Sequence, residues 1–492
     1  MQMQSQLIAE KLSDRSWRLN NLYYIIDKQG NRVKFEMNWA QKELYENLWY
    51  CNIILKARQL GLSTFTCILF LDAVLFNSHT SAGIIADTRE NAKNLFKKVK
   101  FAYDNLPSFI KSYIKADADS ANELRFSNGS SIRTGTSMRS TSLQYLMISE
   151  FGKICRFYPS KAQEVITGSL NALAYGQYCI IESTAEGRDG YFYEMCQKAM
   201  KQKEMGQKLT PLDFRFHFFP WHKHPDYQMK DEILIDGEKE EYFSSLPVDL
   251  SDMQKYWYVK KEESQGEDMM KEYPSTPEES FKTSTDGLFY AKQMSKVYQE
   301  KRICAVPWDE TLEVHTAWDL GFDDSTAIWF FQLAGREIHI IDYFEASGEP
   351  LTFYLKMIKE RPYIYGKHYV PHDAQVREYS TGLTRIETAL KVGIQLTPVP
   401  KLSVHEGIDA VRTTLGKCYF DEKKCQKGIK CLESYTKEWN ASLGAFSDSP
   451  RHDEHSHGSD AFRYLCVAIH GIATRGSMTE ADAAKYERLY RL

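Results

Sequence analysis

Three aspartates in the second half of the chain, Asp319, Asp373 and Asp460, have the residue type and the placement to bind hard cations. Asp319 ends the strand-like run HTAWDLG, Asp373 ends HYVPHDA, and Asp460 opens the helix HGSDAFRYL. Taken singly, an aspartate at such a position is a cap or turn residue. Brought together by a mixed sheet, three carboxylates can hold two Mg²⁺ or Mn²⁺ ions, which activate water and stabilise the leaving oxygen of a phosphodiester. Asp323 and Asp324 after the first strand, Asp342 on a hairpin strand, and Asp453 are possible auxiliaries. His452, His455 and His457 lie beside Asp453 in PRHDEHSHGSD. A zinc site wants a closed set of four ligands, so His455 and His457 read better as groups that orient carboxylates or contact phosphate.

The first half carries a different chemistry. NIILKARQLGLSTF, residues 52–65, reads as a buried strand, a turn and a helix start, the layout of a phosphate-binding loop. Gly61 permits the tight turn; Ser63, with Thr64 beside it, stands where a Mg²⁺-binding hydroxyl belongs. The usual lysine is Leu62, so Lys56 and Arg58 at the loop start must bring the positive charge, with Gln59 between them and the glycine. Downstream, LQYLMISEFGK is an apolar strand ending in Glu150, which can orient an attacking water. Ser149 replaces the acid that ordinarily precedes such a glutamate and helps hold Mg²⁺. The next strand ends in ESTAEG, placing Ser183, Thr184 and Ala185 where loss of a γ-phosphate is read, and NWAQKELY offers Gln41 to an adenine edge.

The elements that must position these groups follow from periodicity. Short apolar runs at 51–55, 82–86, 145–148 and 178–182 alternate with helical stretches such as 89–105, which predicts a parallel sheet with helices on its faces. Residues 216–300 are more polar and proline-broken and predict an appended lid or linker, with a hinge near 286–307. Beyond it, VHTAWDLG, the hairpin TAIWFFQL–AGRE–IHIIDYFE, the helix LTFYLKMIKE, the strand HYVPHDA and an apolar helix at 459–472 predict a ribonuclease H-like mixed sheet. The fold class is therefore α/β, divided as 1–215, 216–300 and 301–474, with a charged tail at 475–492. With 492 residues, more than one core is required. Apolar residues make up 43% and aromatics 13%, which excludes broad disorder. A net charge of −4 excludes a globally basic nucleic-acid binder, so any DNA surface must be local. Ten cysteines lack zinc or redox spacing, and the longest apolar run, CILFLDAVLF, is too short to span a bilayer. The expectation is a soluble intracellular protein with reduced thiols and no membrane contact.

Gln41, KARQLGLST, MISEFGK and STAEG, in that order, resemble the ATPase half of the large terminase subunit of tailed double-stranded DNA bacteriophages. The resemblance extends through FFPWHKHPDY and EYPSTPEESF to Asp319, Asp373 and Asp460, which match the acidic triad of the terminase nuclease by motif. That family tolerates a phosphate-loop lysine displaced to the loop start, as at Lys56; Leu62 and Ser149 are departures from its usual pattern. The resemblance implies ATP with Mg²⁺ in the first half and Mg²⁺ or Mn²⁺, two ions, in the second. It also implies a ring, usually a pentamer, on the procapsid portal protein, with a small terminase subunit, double-stranded DNA as cargo, and action in the bacterial host cytoplasm and at the portal vertex. An arginine finger is expected in such a ring, with Arg139 in GTSMRSTS the candidate. Two rivals remain: a helicase-like translocase whose second domain does not cut, and a nucleotide-binding assembly scaffold.

Overall fold

Every residue of Cys51–Lys56 (β1) is buried, as suits a strand covered on both faces. The structure, a computed structural model, describes residues 10–138, 142–188, 190–281, 287–321, 325–377, 382–440, 443 and 445–475. The chain divides into two compact units, Met1–Ser284 and Thr285–Leu492.

The first unit is built on an eight-stranded sheet. After β1 come Ser81–Ile85 (β2), Ala116–Asp119 (β3), Glu123–Phe126 (β4), Ser131–Gly135 (β5), Leu143–Ser149 (β6), Leu173–Ser183 (β7) and Phe214–Phe219 (β8), in the spatial order β8-β1-β7-β6-β2-β5-β4-β3. The six strands from β8 to β5 run parallel; β4 and β3 close the edge as an antiparallel meander. The expected strands are present; three are longer by one to five residues at an end, and the one expected at 82–86 is shifted by one residue to Ser81–Ile85. The meander was not expected, because β3 is polar and mostly exposed and gives no apolar signal. Phe214–Phe219, at the expected domain boundary, is the strand that pairs with β1.

Helices cover both faces. Trp39–Glu46 (α1) opens with a capping box between Asn38 and Gln41. Leu62–Phe76 (α2) is buried along almost its whole length, which is why it reads as a plain apolar run. Its Asp72 is fully buried, and Arg18 Nε and Nη2 donate to that carboxylate at 2.9 and 2.8 Å while the Tyr23 hydroxyl donates at 2.8 Å. Arg89–Asp104 (α3) follows β2, Phe151–Phe157 (α4) follows β6, and Gly190–Glu204 (α5) follows β7. Residues 221–273 add an aromatic layer to the same core: Trp221 stacks on Trp257 at 5.3 Å and Trp257 on Tyr227 at 4.5 Å.

The second unit has a seven-stranded mixed sheet. Its strands are Ile303–Cys304 (β9), Val314–Asp319 (β10), Ser325–Ala334 (β11), Glu337–Ser347 (β12), Tyr365–Val370 (β13), Leu396–Pro398 (β14) and Cys418–Asp421 (β15), in the order β9-β15-β12-β11-β10-β13-β14. The pairs β10–β11 and β11–β12 are antiparallel; β13 returns parallel to β10. Leu351–Glu360 (α6) packs on one face of the sheet; Val404–Thr414 (α7) and Ser456–Arg475 (α8) pack on the other. The charged tail beyond Arg475 lies outside the described residues.

Candidate active sites

Strand register builds the first site. In the β6–β7 pairing Ser149 stands opposite Glu182, and in the β1–β7 pairing Glu182 stands opposite Ile54, two residues before Lys56. The polar ends of three buried strands therefore meet at their carboxyl ends, where open parallel sheets bind ligands. Lys56 Nζ lies 3.3 Å from Glu150 Oε1 and 3.0 Å from Glu182 Oε2. Burial works against the Lys56 charge, but Glu150 and Glu182 outweigh it and hold the ammonium above the usual lysine range. Burial would raise Glu150, yet Lys56, then Lys153 and Arg58, bring it below the usual carboxylate range. Glu150 is thus a carboxylate at neutral pH. It has a left-handed backbone, φ 54°, at the start of α4, a costly conformation for a non-glycine residue.

The loop after β1 turns through Gln59 at φ 58° and Gly61 at φ 74°, and the first N–H groups of α2 open at its end. A cleft of about 340 Å³ lies over it, lined by Lys56, Arg58, Ser63, Lys98, Glu150 and Lys153 among others. Its cations and the helix N-terminus suit a polyphosphate. Ser63 Oγ donates to Glu182 Oε1 at 3.0 Å, and Ser149 Oγ donates to the same oxygen at 2.6 Å. Thr64 Oγ1 accepts from Lys98 Nζ at 3.1 Å. A hydroxyl and a carboxylate side by side are hard oxygen donors and fit a divalent cation.

Other expected residues are placed differently. The Arg58 guanidinium pairs with both oxygens of Glu272, and its backbone N–H donates to the Glu272 carbonyl at 3.0 Å. Arg58 lines the cleft, but its charge is shared with Glu272, a residue that sequence reasoning did not single out. Gln41 Oε1 accepts from Asn38 N at 2.9 Å, and Nε2 donates to the Gly61 carbonyl at 2.8 Å. Gln41 thus braces the loop, and one amide hydrogen is left over for a base. Ser183 Oγ accepts from Gly152 N at 3.0 Å. A Cβ at Gly152 would meet the Thr184 carbonyl at 2.8 Å, so glycine is what lets the helix that follows Glu150 press against Ser183 and Thr184. The Thr184 hydroxyl is buried with no hydrogen-bond partner among the described residues, and Ala185 is fully buried beneath it. Arg139 lies outside the described residues. Sequence reasoning also missed Glu182. Its signal was a lone acid in the apolar strand YCIIES.

The second site gathers around α8. Asp319 ends β10, and its Oδ2 lies 3.2 Å from His457 Nδ1. Burial raises the Asp319 carboxyl above its usual range; His457 counters this and the Asp460 charge adds to it. Asp460 Oδ1 accepts from the Tyr435 hydroxyl at 2.8 Å and pairs with Arg463 Nη2 at 3.1 Å. Burial, then Asp319, with Asp460 and Asp373 adding and Arg463 opposing, push the Tyr464 hydroxyl upward. Two local expectations are corrected. Asp373 does not end its strand: β13 stops at Val370 before Pro371, which has no N–H to donate, and Asp373 lies on the 3-10 turn His372–Gln375. Asp460 does not open its helix, which starts one turn earlier at Ser456.

Among the described residues no group of three His, Cys, Asp or Glu side chains is placed to hold a metal ion. Neither the aspartate cage nor a histidine zinc site is closed. Asp460 pairs with Arg463 and Tyr435. Asp342 is paired with Arg361. Asp453 bonds Arg451 Nε at 2.6 Å and the His455 N–H at 2.9 Å, so it holds the turn into α8. His455 is buried with its ring 3.8 Å from Glu454, and His452 Nδ1 lies 3.3 Å from Ser456 Oγ. Asp323 and Asp324 lie outside the described residues.

Both units are α/β, with an eight-stranded, mainly parallel sheet in the first and a seven-stranded mixed sheet in the second. No protein-family model and no curated protein matches the chain. Among solved structures, the chain is similar to the large terminase of bacteriophage HK97, at 13% identity over 92% of this chain and 99% of that one, TM-score 0.48. It is similar to the large terminase of a thermophilic bacteriophage in complex with ATP-γ-S, at 13% identity over 88% and 98%, TM-score 0.31. The P22 large terminase nuclease domain matches at 17% identity over 35% of this chain and 89% of that one, TM-score 0.28.

Proposed function

We propose that the chain is an ATP-driven DNA-packaging motor with its own endonuclease, a large terminase subunit. The observation that carries the reading is Lys56, buried between Glu150 and Glu182 beside Ser63 at the carboxyl ends of parallel strands. Lys56, Gln59 and Gly61 would receive the phosphates of ATP, and Arg58 would do so at the expense of its pairing with Glu272. Ser63 would help hold Mg²⁺, with Thr64 auxiliary and Gln41 bracing the loop. Glu150, kept ionised by Lys56, would accept a hydrogen bond from the attacking water and orient it. Gly152 ties Glu150 to Ser183, so the segment Ser183, Thr184 and Ala185 would carry the change on hydrolysis toward the rest of the sheet. Arg139 remains the proposed arginine finger toward a neighbouring subunit. No helix among the described residues is long and apolar enough to cross a membrane.

In the second unit Asp319 and Asp460, with Asp373, would hold Mg²⁺ or Mn²⁺. Burial and the Asp460 charge raise the Asp319 carboxyl, which a nearby cation would counter, and carboxylate oxygens are the donors such ions take. When bound, the ions supply an activated water and a neutralised leaving oxygen. His457 would keep Asp319 oriented, and Arg463 and Tyr435 would do the same for Asp460. Double-stranded DNA, a portal protein, a small terminase subunit and a homo-oligomeric ring, a pentamer, would be the partners, in the host cytoplasm and at the procapsid portal vertex. DNA contacts would be mainly to phosphate, so binding would fall steeply with salt. ATP hydrolysis by the full chain, in the presence of DNA, tests the reading; absence of turnover in all conditions would leave the assembly scaffold.

A further inference from the structure

In a phosphate-loop site the carboxylate that steadies the Mg²⁺-binding hydroxyl ordinarily precedes the catalytic glutamate on its own strand. Here that position is Ser149, which cannot carry charge. We propose that Glu182, on the neighbouring strand β7, supplies the missing carboxylate, so that Ser63 and Glu182 together form the magnesium site of the ATPase. The inference deepens the nucleotide reading above and rests on it.

Three contacts support it. Ser63 Oγ donates its one hydrogen to Glu182 Oε1 at 3.0 Å, which leaves the lone pairs of the hydroxyl for a cation. Ser149 Oγ donates to the same oxygen at 2.6 Å, so the residue that lost the acid now fixes the acid that replaced it. Lys56 Nζ sits 3.0 Å from the other oxygen. The Glu182 side chain is fully buried. A buried carboxylate is costly unless paired, and Lys56 is shared with Glu150. A magnesium ion bound at Ser63 would add positive charge beside Glu182, whose one ionic partner among the described residues is Lys56. The register makes the exchange possible: Ser149 and Glu182 are directly paired residues of β6 and β7, so a carboxylate can leave one strand and reappear on the next without moving the site. One consequence is that the magnesium acid is covalently next to Ser183, on the strand proposed to read phosphate release.

A rival role for Glu182 is only to anchor Lys56. The two roles separate by magnesium dependence. The experiment titrates the full chain with a fluorescent ADP, once with Mg²⁺ and once with EDTA. Wild type should bind more tightly with Mg²⁺. Glu182→Gln should lose that tightening by ~10-fold or more, while its affinity in EDTA is unchanged or stronger, which also shows that the variant is folded. Adding Ser149→Asp to Glu182→Gln should restore magnesium dependence by returning the acid to β6. The proposal is overturned if Glu182→Gln keeps the wild-type magnesium response, or weakens binding equally with and without Mg²⁺. Wild type that binds no nucleotide in either condition would overturn the nucleotide reading as well.

Discussion

The two sites differ in how much of their electrostatics is settled within the chain. In the first, Lys56 is enclosed by Glu150 and Glu182, and Ser63 and Ser149 converge on one Glu182 oxygen. In the second, Asp319 leans on His457, Asp460 on Arg463 and Tyr435, and Asp373 sits on a separate turn. The first cluster sits on paired neighbouring strands, so its geometry is part of the sheet. The second is drawn from a strand end, a turn and a helix, and its acids repel one another. A site of the first kind is preorganised and need only admit its ligand. A site of the second kind would be drawn together by the counter-charge of bound cations.

The hardest blow to this contrast is Lys56→Ala. It leaves two acids facing each other, one of them fully buried, and breaking such a pair costs ~3–5 kcal/mol. Denaturant unfolding should show that loss in the first transition, and ATP turnover should vanish; a variant as stable as wild type would mean the enclosure is incidental. Glu150→Ala is expected to cut ATP turnover by ~10²-fold or more while leaving DNA cleavage intact, as steady-state phosphate release and a plasmid assay on one preparation would show. Asp319→Asn should act in the opposite sense on stability. Its folded carboxyl is raised above the unfolded value, so the ionised form opposes folding at neutral pH, and that penalty fades as pH falls through the folded value toward the unfolded one. The variant should melt a few degrees higher at pH 7, about 2–4 °C for each kcal/mol removed, with the gain shrinking toward pH 4. No gain at pH 7 would mean that burial and the Asp460 charge do not raise the Asp319 carboxyl. The smallest effect belongs to Arg58→Lys. It loses the two-pronged pairing with Glu272, but the side chain is half exposed, so the stability change should be about 1 kcal/mol or less. A larger nucleotide-affinity loss than stability loss would show that Arg58 also serves the phosphates.

The same contrast explains what was legible in the sequence. The buried strands β1, β2, β6 and β7 contain short apolar runs, with Gly61 and Ser63 just beyond β1 and Glu150 just beyond β6, so these four strands and the loop could be read directly. Glu182 could not, because an acid at a strand end looks solvated until the register pairs it with Ser149. Glu272 is distant in sequence from Arg58 and meets it only through the aromatic layer of residues 221–273. The β3–β5 meander was missed because its edge strand is exposed and polar. In the second unit the hairpin and α6 follow from periodicity alone. The turn carrying Asp373 does not, since Pro371 ends the strand two residues before the acid. The start of α8 was hidden in HDEHSHGSD, a polar stretch with no apolar repeat.

The central claim is that one chain carries both a preorganised ATPase site and a metal-assembled nuclease site. Cleavage of plasmid DNA by the full chain with Mg²⁺ or Mn²⁺, wild type beside Asp319→Ala, tests it most directly. The account predicts metal-dependent nicking and linearisation by wild type that disappears in the variant, with ATP hydrolysis unchanged. Cutting that persists in Asp319→Ala, or wild type that never cuts in either metal, would contradict it and leave a translocase whose second unit only holds DNA.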